Sequence, residues 1–136
     1  LNGFFYNNDK YYYDNINVGF TIETEKEMSV PVIHESDKLS YIDIQNQYID
    51  KFKKYEKHTL SLKDIDKCTF VVSDLSSVAD VSMHSPIMYN YTSSIIGIAL
   101  DKQSQELNLT LNYDHQMSSG KEALLFLESI RTKLSI

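Results

Sequence analysis

The chain has 136 residues, 42% of them apolar and 24% charged, which suits one globular domain (1–136) with a real core. Its formal charge of −6 argues against a phosphate-backbone binder, which is normally basic, so no nucleic-acid partner is expected. No apolar run is long enough to cross a bilayer, no secretory pattern is visible, and the single Cys68 excludes an internal disulfide. The expected location is the cytoplasm or an organelle interior, without secretion or a membrane partner. The chain begins at Leu1 rather than Met and reads as a fragment or a processed product.

In chain order, Asn7-Asn8-Asp9 predicts a turn between two aromatic strands, Phe4 to Tyr6 and Lys10 to Tyr13. The tyrosines at 11 to 13 are expected to pack by alternation. Ile16 to Glu23 predicts a strand, Glu25-Lys26-Glu27 a hairpin tip, and Met28 to Ile33 the returning strand, where Pro31 implies an edge or a bulge. The first helix is predicted over Lys38 to Lys57, capped by Ser36 or Asp37. Tyr41, Ile44, Tyr48, Phe52 and Tyr55 share one face of it, and Lys51, Lys53, Lys54, Glu56 and Lys57 are read as its solvated end. Ser61-Leu62-Lys63-Asp64 predicts one short turn. Cys68 to Ser73 predicts an apolar strand, with Cys68 as a core residue.

Asp74 to Ser85 is a polar loop, and Pro86 to Tyr91 leads into a strand over Ser94 to Leu100. A connection at Asp101 to Gln105 joins this to the alternating strand Glu106 to Tyr113. The last helix is predicted over Lys121 to Leu134, with Ala123, Leu127, Ile130 and Leu134 inward and Leu124 beside them. Strands and hairpins punctuated by two helices define an α+β class. The tripeptides Asn90-Tyr91-Thr92 and Asn108-Leu109-Thr110 match the glycosylation pattern and are read as chance matches. No Gly-rich phosphate loop and no Gly-x-Ser-x-Gly elbow occurs. His34, His58 and His84 show no ligand spacing, and no metal is expected.

His115 stands at the end of the alternating strand, ahead of a short polar loop, Gly120 and the last helix. A strand end combines rigid support with reach into a cleft, which a general base needs. The segment Tyr113-Asp114-His115 through Ser119-Gly120 resembles the His-x-x-x-Asp-Gly motif of the acyltransferase core of 2-oxo acid dehydrogenase complexes, whose fold is that of chloramphenicol acetyltransferase. The resemblance runs from about Asn15 to Leu134. Asn17-Val18-Gly19-Phe20-Thr21-Ile22 is similar to the family's Asn-Ile-Gly-Ile-Ala-Val strand, and Val30-Pro31-Val32-Ile33 to its Val-Pro-Val-Ile segment. Leu60 to Ile65, Thr69-Phe70-Val71-Val72-Ser73-Asp74-Leu75 and Pro86-Ile87 through Ile95-Ile96-Gly97 continue the match in order and spacing. The chain departs from the family pattern at Tyr89-Asn90-Tyr91, where Asn-Pro-Pro is usual, at Gln116 in place of Arg, and at Ser119 in place of Asp.

The resemblance implies a mixed β-sheet with flanking helices, a partial version of the fold whose front half is missing. It also implies acyl transfer between a coenzyme A or carrier thioester and a thiol such as dihydrolipoamide, or another nucleophile. His115 would be the base and Ser73 the oxyanion donor, brought together from different chains of a homotrimer. Ser119, Asp114 and Gly120 would organise the loop, and no metal would be needed. The implied partners are acyl-coenzyme A as co-substrate and a lipoyl or carrier domain. The alternative is a catalytically silent scaffold or docking domain that keeps the trimeric fold for assembly. Ser119 favours that alternative, and the retention of both His115 and Ser73 opposes it.

Overall fold

The computed structural model describes residues 1–78, 80–89 and 91–135. The N-terminal hairpin pairs β1 (Gly3–Tyr6) with β2 (Asp9–Tyr12) antiparallel. Asn7 and Asn8 both take positive φ (47° and 65°), the geometry of the tight two-residue turn that matches strand twist. Packing does not claim all three tyrosines that follow: Tyr12 is 67% exposed, whereas Tyr13 sends its hydroxyl to the Tyr91 carbonyl at 2.6 Å.

The central sheet has five strands in the order β6-β3-β7-β8-β9. These are β3 (Val18–Phe20), β6 (Val32–Ile33), β7 (Phe70–Asp74), β8 (Ser94–Asp101) and β9 (Glu106–Tyr113). β3 and β7 run parallel, as do β7 and β8, while β6 and β9 close the two edges antiparallel. The predicted strand Ile16 to Glu23 is thus split, its second part β4 (Ile22–Glu23) pairing with β5 (Met28–Ser29) in a separate ribbon. Fully buried Pro31 interrupts the return, so β6 starts one residue later, on the sheet edge where a missing donor is tolerated.

Both long helices, α1 (Tyr41–Glu56) and α3 (Gly120–Leu134), cover the same face of this sheet. Register pairs Val18 with Phe70 and Phe20 with Val72, which sets those side chains on one side. There Phe20 packs on Tyr48 of α1 (4.5 Å between ring centroids) and Phe70 meets Phe126 of α3 edge-on (5.7 Å). Phe20, Ile22, Ile33 and Tyr55 form the main core cluster. On the opposite face a second cluster of Val30, Val71 and Ile95 packs against half-buried Cys68. Burial pushes the Cys68 thiol up, and it precedes rather than joins β7.

Four expectations need correction. α1 starts at Tyr41 and is capped by Ser40, not by Ser36 or Asp37, because Ser40 and Asp43 close a reciprocal capping box. Ser36–Lys38 instead forms a single 3₁₀ turn. The predicted face of α1 is buried chiefly at Tyr55, and Tyr41 is 91% exposed. Lys51 does not belong to a solvated end: it is buried and donates to Asp64 of α2 (Leu62–Ile65) at 2.9 Å. On α3, Ala123 is buried and Leu127 and Ile130 are half-buried, but Leu124 and Leu134 are exposed. No described helix is long and apolar enough to cross a membrane.

Candidate active site

β9 ends at Tyr113, and the chain turns at once. The Asp114 amide donates to the Ser93 carbonyl, the Asp114 carbonyl accepts from Met117 and Ser118, and its side chain accepts from the Gln116 amide at 2.9 Å. That local aspartate turn fixes the loop backbone. Met117 and Ser118 are buried beneath it, so the loop is anchored while His115 and Gln116 stand outward. The exposed His115 ring lies near Tyr113, with 5.9 Å between ring centroids. It lines a cleft of about 640 Å³ shared with Pro86, Ile87, Met88, Leu111 and Asn112.

Ser119 closes the loop as the N-cap of α3. Its Oγ accepts from the Glu122 amide at 3.2 Å, and Glu122 Oε1 accepts from the Ser119 amide and hydroxyl. Gly120 follows, and a Cβ there would stand 3.3 Å from Tyr113 Oη, so the small residue lets the helix start close to the strand end. Aspartate caps a helix about as well as serine. It cannot donate to Glu122, however, and its charge would face that carboxylate. Ser119 is exposed, so the burial penalty expected of a new carboxylate is small and repulsion by Glu122 is the main cost. Ser119→Asp should therefore lower stability by no more than about 1 kcal/mol by thermal melting.

Ser73 occupies a different place. It lies on β7 in register with Gly97 of β8, which in turn pairs with Thr110 of β9. It points to the face opposite the helices, where its Oγ lies 2.9 Å from His84 Nε2 and takes a hydrogen bond from Thr21 Oγ1 at 3.2 Å. His115, beyond the last residue of β9, is separated from it by roughly 15 Å along the strand and two strands across. One copy of the chain does not bring the two residues together.

The neighbour the sequence passed over is His84, which reaches Ser73 from the loop between β7 and β8. A sequence signal was present in Gly97: a Cβ there would stand 2.1 Å from the His84 carbonyl oxygen. An isolated glycine within a strand marks such a close backbone approach. The other histidines are dispersed. His34 bonds Asp66 at 3.1 Å and His58 lies 3.3 Å from Glu27. Among the described residues no group of three His, Cys, Asp or Glu is placed to hold a metal. Of the glycosylation patterns, Asn90 lies outside the described residues, as does the centre of the Tyr89-Asn90-Tyr91 departure; the Asn108 amide is engaged with the Ser82 carbonyl at 2.8 Å.

The sheet thus carries helices on one face, a strand-end histidine on a cleft and a strand serine on the opposite face. Residues 1–135 match the sequence model of the 2-oxoacid dehydrogenases acyltransferase catalytic domain, and the chain belongs to this family. It is 31% identical to the dihydrolipoyllysine-residue succinyltransferase component of the 2-oxoglutarate dehydrogenase complex of Rickettsia typhi, over 90% of this chain and 32% of that protein. The fold is similar to that of a probable dihydrolipoamide acetyltransferase from Listeria monocytogenes (TM-score 0.85, 24% identity, 97% of this chain and 61% of that one). It is also similar to a truncated catalytic core of the 2-oxoacid dehydrogenase multienzyme complex from Thermoplasma acidophilum (TM-score 0.82, 21% identity, 96% and 62%). The chain thus spans about a third of the curated relative and about three fifths of the solved chains.

Proposed function

We propose that this chain carries an acyl-transfer site working between a coenzyme A thioester and a thiol such as dihydrolipoamide, completed between copies of the chain. His115 takes the proton of the attacking thiol, and the sulfur adds to the thioester carbonyl. The oxyanion accepts a hydrogen bond from Ser73 Oγ of a neighbouring copy. Collapse then expels the coenzyme A sulfur, which recovers the proton from His115. Such a base contributes about 10²–10⁴-fold and such a donor about 10²–10³-fold. The chemistry calls for no metal.

The observation that carries the reading is the placement of His115: an exposed base on a rigid strand end, beside an open cleft whose Ile87, Met88 and Leu111 suit an aliphatic thiol arm. Family membership supports it. The separation of His115 from Ser73 within one copy supports a site shared between copies, and a trimer is the assembly proposed. A lipoyl or carrier domain would deliver the acceptor thiol, in the cytoplasm or an organelle interior.

The test is transfer from an acyl-coenzyme A to dihydrolipoamide by the native protein, with its mass in solution measured by light scattering at micromolar concentration. Turnover by particles of more than one chain is expected. A monomer across that range would remove the shared site. A stable oligomer without turnover would favour the assembly scaffold, for which Ser119 in place of a loop carboxylate is the supporting observation.

A further inference from the structure

Ser73 cannot serve an oxyanion unless its hydrogen is free. A serine hydroxyl has one hydrogen and two lone pairs. Around Ser73 Oγ stand two partners, Thr21 Oγ1 at 3.2 Å and His84 Nε2 at 2.9 Å, and the threonine hydroxyl donates. If His84 accepts at Nε2, the serine's only hydrogen is spent on the imidazole. If His84 donates from Nε2, both lone pairs are filled and the hydrogen is left to point away from both neighbours. The residual exposure of Ser73, 7%, lets such a hydrogen meet a ligand.

The loop is built to hold His84 there. Its carbonyl and the Pro86 ring rest on Gly97, where even a methyl group would collide with both. Two asparagines of β9 pin the loop on either side of the histidine. Asn108 Nδ2 donates to the Ser82 carbonyl at 2.8 Å, and Asn112 Nδ2 donates to Ser85 Oγ at 3.0 Å and to the Pro86 carbonyl. The same segment continues into the wall of the His115 cleft. An imidazole fixed by its backbone on both sides sets a hydrogen-bond direction with little entropy left to lose.

We propose that His84 is a positioning residue for Ser73: its Nε2–H, donated to Ser73 Oγ beside the Thr21 hydroxyl, frees the serine hydrogen for the transition-state oxyanion. This rests on the acyl-transfer reading and adds to it a residue that acts through Ser73 without touching substrate.

Two measurements on the native protein test it. In the first, ¹⁵N-histidine NMR reads the protonation of each ring, with the four histidines assigned by single His→Gln substitutions. A proton on His84 Nε2 is expected. A neutral ring protonated at Nδ1 alone overturns the proposal, whether or not transfer is seen. A proton on Nε2 in a protein that transfers nothing upholds the hydrogen-bond assignment and removes the acyl-transfer reading beneath it.

The second measurement is kinetic. His84→Ala should lower kcat about 10-fold, less than loss of the donor itself, with KM changed less than about twofold. His84→Gln, whose amide can donate from nearly the same point, should regain most of that loss. His84→Glu, which only accepts when ionised, should be slower than His84→Ala. In a Ser73→Ala background His84→Ala should cost nothing more. Full additivity of the two substitutions, or wild-type kcat in His84→Ala, would overturn the proposal.

Discussion

His115→Ala and Ser73→Ala should each nearly abolish acyl transfer, and mixing the two should bring part of it back. Removing the base is expected to cost about 10²–10⁴-fold and removing the donor about 10²–10³-fold. Neither change should disturb folding: His115 is exposed, and Ser73→Ala deletes one hydroxyl while the backbone of β7 keeps its register with β8. The two residues stand at far-separated points of one sheet. A site that uses both must take His115 from one copy and Ser73 from another. In a cyclic oligomer assembled at random from equal amounts of the two variants, a site is intact when its histidine comes from a Ser73→Ala chain and its serine from a His115→Ala chain. About a quarter of the sites meet that condition. Co-refolded mixtures should therefore recover about a quarter of native activity by the same assay. Mixtures no better than the separate variants would exclude a site shared in this way.

The strands that carry His115 were legible because their chemistry is local. In β9, Leu107, Leu109 and Leu111 alternate with Asn108, Thr110 and Asn112, and that period alone fixes which face meets α3 and which meets the loop. The hairpin turns were legible for the same reason, since asparagine at Asn7 and Asn8 tolerates the positive φ the turn demands. The start of α1 was written in the chain as Ser40-x-x-Asp43, but two earlier candidate caps, Ser36 and Asp37, lie within five residues. Local propensity does not rank them; the chain ranks them by where the 3₁₀ turn leaves Leu39 extended.

What was not legible depends on residues far apart in sequence. Lys51 sits among lysines and looks solvated, yet the short helix α2 brings Asp64 to it and buries both. His84 lies in a polar loop with no periodicity, and only the crossing of that loop over Gly97 sets it on Ser73. Family resemblance picked out His115 and Ser73 but not His84, because a resemblance transfers residues at matching positions. A partner contributed by this chain's own loop must be found in the structure.

The Lys51–Asp64 pair should be worth more to the fold than any surface ion pair here. Asp64→Ala is expected to destabilise by about 3–5 kcal/mol, because it strands a buried ammonium with no compensating charge. The reciprocal change should cost less. Without Lys51, Asp64 keeps its hydrogen bonds from the Ser61 amide at 2.8 Å and hydroxyl at 3.0 Å, and Lys54 lies 3.5 Å away. Lys54 is 40% exposed, so it supplies only part of what Lys51 gives. Burial pushes the Asp64 carboxyl up, but hydrogen bonds from Lys51 and Ser61 outweigh it and hold the group well below its ordinary value of 3.8. The folded chain therefore releases this proton more readily than the unfolded one. The stabilisation is present in full above pH 4 or so and is lost as pH falls through the folded value. Urea titrations from pH 6 to pH 2 should show native stability declining below about pH 4. Asp64→Asn, less stable at pH 6, should decline more gently, so that the two curves converge in acid. Parallel curves over that range would show that Asp64 carries the same proton affinity folded and unfolded, and the pair would then be a packing contact with no electrostatic share in stability.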